Sequence, residues 1–75
     1  MILQLHKEPL EVGSRHVGCN GKDGIWHPDQ PYVLLREATV DEYRAWCFSE
    51  GVPSRSVESQ IKKFPSDRYF EVSID

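Results

Sequence analysis

The clearest pattern along the chain is the alternation near its end. Phe70, Val72 and Ile74 fall on one side and Tyr69, Glu71 and Ser73 on the other, which predicts a strand over 69–74. Tyr32-Val33-Leu34-Leu35-Arg36 is a second run suited to a pleated, half-buried surface. Ile2 to His6 is a third, of strand length and closed by Glu8-Pro9. Between the second run and the last strand the period lengthens to that of helices. Thr39-Val40-Asp41-Glu42 has the S/T-x-x-E form of a capping box, so a helix is expected to open at Thr39, run to Glu50 and stop at Gly51. At about 100° per residue, Val40, Tyr43, Trp46 and Cys47 share one arc and are predicted to face the core, Trp46 among them. Phe48 lies off that arc, beside Arg44 at i,i+4 spacing. A second helix fits Ser54–Phe64, with Val57, Ile61 and Phe64 as its apolar stripe and Arg55, Glu58, Ser59 and Lys62 opposite. Glu58 precedes Lys62 by four, the favourable order for a solvated helix pair. Pro65 ends the helix.

From Glu11 to Pro31 the chain is punctuated by Gly13, Gly18, Gly21, Gly24, Pro28 and Pro31, which is turn chemistry. Within it, Ser14–Cys19 and Gly24–His27 are expected to pair as a hairpin around Asn20-Gly21-Lys22-Asp23. The fold class that follows is α+β: a small antiparallel sheet of roughly three to five strands with two short helices packed on one face. The expected order is strand, hairpin, strand, helix, helix, strand, in a single domain over 1–75. Strand 2–5 or strand 69–74 is a candidate for an unprotected sheet edge, which leaves a homodimer open as one assembly, while the sequence does not fix the oligomeric state.

Size narrows the function classes. A chain of 75 residues buries only about 60% of the surface it exposes when unfolded. One core uses most of that, leaving little for a deep pocket of roughly 300 Å³, so no enzyme is expected. The formal charge is −3 and evenly spread, with four bases and five acids in residues 1–38 and five bases and seven acids in 39–75. No half of the chain carries the basic footprint of broad phosphate binding. Cys19 and Cys47 are too few for a disulfide scaffold, and His6 and Lys7 come too early for the apolar part of a signal peptide. With no apolar run of membrane-spanning length, the expected location is the cytoplasm, with free thiols and no membrane contact.

Residues 38–69 carry the most specific pattern. Cys47, Gly51, Val52 and Val57 fall where a helix-turn-helix places a small residue, the turn glycine and two apolar residues, and the segment 41–64 resembles that motif. With Pro65 and the strand 69–74 following, it resembles small winged-helix or excisionase-like domains. Glu50 and Gln60 depart from the pattern, which expects apolar residues there. The resemblance implies that Ser54, Arg55, Ser56, Ser59, Lys62 and Lys63 face DNA, bases and phosphates alike. Arg55, Lys62, Lys63 and Arg68 against Glu58 and Asp67 leave this stretch at +2.

Other chemistry has less behind it. His16, Cys19 and His27 could approach one ion if the hairpin turned symmetrically about Gly21-Lys22, with Cys47, Asp23 or Asp29 as a fourth ligand. Their spacing is not that of a familiar zinc module, and neither a metal nor another cofactor is expected. Gly18-Cys19-Asn20-Gly21-Lys22 ends in Gly-Lys, but a P-loop needs four residues between its glycines and a Ser or Thr after the lysine. No local signature pairs Cys19 or Cys47 with a histidine as a nucleophile.

The leading expectation is a small non-catalytic protein-binding module, an inhibitor or adaptor that occupies a larger partner's surface. Its expected contact residues are Phe48 and Arg44, off the core arc, with Trp26 and Tyr32 flanking the Pro28–Pro31 segment. Aromatic and arginine side chains dominate interface energetics, although Trp26 is equally suited to closing the core. The alternative is sequence-specific DNA binding through 41–64, with Arg55, Ser59, Lys62 and Lys63 as contacts.

Overall fold

The computed structural model describes residues 1–5, 10–16 and 31–74. Four strands form an antiparallel sheet: β1 (Ile2–Leu5), β2 (Arg15–His16), β3 (Tyr32–Ala38) and β4 (Arg68–Ile74), in the spatial order β1-β4-β3-β2. Helices α1 (Val40–Ser49) and α2 (Ser54–Lys63) lie between β3 and β4 in the chain and pack together on one face of the curled sheet. The α+β class and element order are those the sequence predicts. The hairpin partner Gly24–His27 lies outside the described residues. β4 is central, so of the two candidate edge strands it is β1 that lies at an edge of the sheet among the described residues.

The two faces of the sheet bury different residues. Leu3 and Leu5 of β1, Tyr32 and Leu34 of β3, and Phe70 and Val72 of β4 gather on the face away from the helices, joined by Leu10. Ile2, Ala38 and Tyr69 form the helix-side cluster with Tyr43 and Cys47 of α1 and Val57 of α2. The alternation of β4 is therefore as read, but the helices cover its Tyr69 side. Gln4, on that same side of β1, donates from Nε2 to the Gln60 carbonyl of α2 at 3.1 Å.

A bulge decides the course of β3. Leu34 pairs with Val72 and Arg36 with Glu71, leaving Leu35 as the extra residue. One inserted residue reverses which side chains face which way. Tyr32 and Leu34 thus point to one cluster, while Arg36 and Ala38 turn to the helix side. There the Arg36 guanidinium bridges β4 and α1, donating to Glu71 at 2.7 Å and to Glu42 at 2.7 and 3.2 Å. On the opposite face Arg68 forks Glu37 and lies over the Phe70 ring.

Local chemistry sets the helix ends. The Thr39 hydroxyl accepts from the Glu42 amide at 3.1 Å and the Glu42 carboxylate accepts from the Thr39 amide at 2.9 Å, completing the capping box. At the far end the amides of Gly51 and Val52 donate to the carbonyls of Phe48 and Cys47. Gly51 sits at φ +83°, the left-handed turn that a glycine supplies without a Cβ penalty. The phase of α1 differs from expectation in one respect. Tyr43 and Cys47, 4% and 0% exposed, are its buried residues, and Trp46 is only half-buried against them. The centre of the buried arc lies nearer Tyr43 and Cys47 because Tyr43 meets Tyr69 of β4, ring centroids 4.9 Å apart.

Candidate functional site

A cleft of about 410 Å³ runs between the two helices on their outer side. Asp41, Arg44, Ala45 and Phe48 line it from α1, at positions i, i+3, i+4 and i+7 that share one helix face. Val52 and Ser54 line it from the turn, and Val57 and Glu58 from α2. Sharp reversal at Gly51 brings these faces together. Ala45, Phe48, Val52 and Val57 make its wall apolar, and Phe48 stands 76% exposed. A phenyl ring in water beside an apolar wall is the arrangement that gains most from being covered. The cleft is a surface feature between helices, so the expectation that the core leaves little room for a deep pocket concerns a different kind of cavity.

Arg44 holds one side of the cleft. Its Nε and Nη2 donate to the two carboxylate oxygens of Glu58 at 2.7 and 3.1 Å, and its Nη1 donates to Asp41 at 2.9 Å. This fork ties α1 to α2. It also corrects the helix pair read from spacing: Glu58 engages Arg44 across the cleft, since a bidentate guanidinium offers two charge-assisted bonds. The Arg44 guanidinium keeps the Glu58 carboxyl below the usual carboxylate range, and the two carboxylates raise Arg44 in turn. Beneath the cleft, burial pushes the Cys47 thiol up, and burial together with the neighbouring Cys47 pushes the Tyr43 hydroxyl up. Cys47 is thereby a packed, protonated side chain, as its place on the core arc implies.

The structure brings Phe48 and Arg44 together at the cleft but not the other two expected contact residues. Tyr32 is 0% exposed, which corrects its assignment to a contact surface. It sits on β3 before the bulge, so its ring points into the cluster on the far face of the sheet, where His16 stacks on it with centroids 5.6 Å apart. Trp26 lies outside the described residues. The sequence reading missed Asp41, Ala45, Val52, Ser54, Val57 and Glu58 as cleft residues. The spacing of Asp41, Arg44, Ala45 and Phe48 carried a signal for the α1 wall; nothing local identified the α2 wall.

Arg55, Ser59, Lys62 and Lys63 are all exposed on α2, with the Lys63 ammonium 5.5 Å from the Phe64 ring centre. Of the residues that resemble a helix-turn-helix, Cys47 and Val57 are buried, Val52 packs beside them and Gly51 makes the turn. The two departures are accommodated differently: Glu50 is exposed at the α1 C-cap, and Gln60 is half-buried beside Gln4. Of the metal-type residues, His16 is described, within 3.0 Å of the Ser14 hydroxyl, while Cys19 and His27 lie outside the described residues. Among the described residues no three His, Cys, Asp or Glu side chains group as a metal site, and no helix is long and apolar enough to cross a membrane. No protein-family model, curated protein or solved structure matches the chain.

Proposed function

We propose that this protein is a non-catalytic protein-binding module, acting in the cytoplasm as an adaptor or inhibitor, and that its α1–α2 cleft receives an apolar side chain of a partner protein. The observation that carries this is Phe48, 76% exposed beside Ala45, Val52 and Val57 with no structural task in the described fold. Large exposed aromatics at the edge of a preformed apolar depression are the residues that anchor interfaces. The Arg44–Glu58 fork holds the two helices of the depression in register, which lowers the ordering cost of association.

Sequence-specific DNA binding is the second reading, and what favours it is the exposed row Arg55, Ser59, Lys62 and Lys63 on a helix entered through a Gly51 turn. Affinity capture from native extract, with and without nuclease, separates the two. Under the first reading Phe48→Ala weakens capture of a nuclease-resistant partner by about 1–2 kcal/mol, the scale of an interface anchor. Under the second, nuclease abolishes capture, and Arg55→Ala with Lys62→Ala flattens a steep salt dependence. Full capture by Phe48→Ala overturns the first reading.

A further inference from the structure

Resting on the reading of the cleft as a protein-docking site, we infer that its occupant is a peptide segment with an aromatic or large aliphatic anchor next to a lysine or arginine. The charge at the rim is the ground for this. Among the described residues, Asp41, Glu58 and Arg44 are the ionisable ones that line the cleft, and together they carry a net charge of −1. Arg44 is already committed: all three of its guanidinium nitrogens donate to these two carboxylates. Its positive charge is therefore offset by two carboxylates, so an incoming carboxylate meets a cleft of net negative charge. Asp41 is placed otherwise. Its side chain is 85% exposed and uses one oxygen, Oδ1, toward Arg44, so its Oδ2 faces solvent at the mouth of the cleft. A cation arriving beside the apolar anchor meets that oxygen without breaking the fork, and the chain's overall charge of −3 acts in the same direction.

Apolar burial supplies the affinity and the rim supplies the sign preference. Phe48 and Val52 can close on a side chain that enters toward Val57, while Asp41, two turns before Phe48 on the same face of α1, reads the adjoining residue. Exchanging the sign of that adjoining charge is expected to change affinity by about threefold or more, the scale of a partly screened rim charge.

The test is selection of a random peptide library displayed on phage against the immobilised full chain, followed by titration of synthetic peptides. The expected consensus is an apolar anchor next to Lys or Arg. Binding should shift the amide resonances of Ala45, Phe48, Val52 and Val57 and be lost in Phe48→Ala. Replacing the peptide's basic residue by Glu should weaken binding about threefold or more, and the double variant Asp41→Asn, Glu58→Gln should reverse that preference. Peptides that need Phe48 but are neutral or acidic beside the anchor overturn this inference and leave the docking reading standing. Peptides that bind Phe48→Ala as well as the native chain, or a library yielding none above background, overturn both.

Discussion

Tyr43→Ala is expected to be among the most damaging substitutions in α1, and Trp46→Ala a milder one. Tyr43 is 4% exposed, packed on the Tyr69 ring and placed between sheet and helices. Cutting it to alanine removes on the order of 100 Å² of buried apolar surface, about 2.5 kcal/mol at 25 cal/mol per Å². The cavity left against Tyr69 and Cys47 brings the cost to about 3–5 kcal/mol. A chain of this length has a total stability of roughly 4–11 kcal/mol, so the variant sits near the edge of folding. Trp46 is half-buried at the margin of the same cluster, and its truncation is expected to cost about 1–2 kcal/mol, having less burial to lose. Urea unfolding followed by circular dichroism gives both values, provided the slopes agree and two-state behaviour holds. Tyr43→Phe guards against an uninformative unfolded variant: it keeps the ring and its packing on Tyr69, removes only the hydroxyl, and is expected to cost well under the loss for Tyr43→Ala. A loss for Trp46→Ala equal to or larger than that for Tyr43→Ala would show that the arc of α1 is centred on Trp46 and that this account of the core is wrong.

Thr39→Ala should lower stability by about 1 kcal/mol in the same assay, because it removes the acceptor for the Glu42 amide; a change under a few tenths would mean that the capping box does not hold the helix start. Acid should weaken the fold in a defined window. The Arg36 guanidinium, aided by the Thr39 amide, holds the Glu42 carboxyl down to about 2 from its ordinary 4.5, so its stabilisation is complete above pH 4.5 and is lost as the pH falls toward 2. Glu37 and Glu58 are shifted in the same direction by Arg68 and Arg44. Melting temperatures measured from pH 6 to 2 should fall less steeply for Glu42→Gln than for the native chain, and parallel curves would remove Glu42 from the explanation.

Features that depend on one turn of chain were legible in the sequence. The capping box at Thr39, the stop at Gly51, the second helix from Ser54 and the alternation of β4 each rest on contacts within a few residues, and these look the same before and after folding. Phe48 was separable from the core for the same reason, since helix phase alone puts it off the arc of Tyr43 and Cys47. Tertiary structure decided what depends on residues far apart in the chain. The Leu35 bulge is invisible to a period-2 reading, yet it turns Ala38 toward the helices while Tyr32 keeps its place in the opposite cluster, so a tyrosine that flanks a proline-rich segment in sequence is sealed in a core. Glu58 has Lys62 at helix spacing, but a partner fourteen residues away engages it because α1 and α2 fold back on each other. The cleft is likewise made by two faces meeting: α1 supplies Phe48 and α2 supplies Val57, and only their packing places an exposed ring beside an apolar wall.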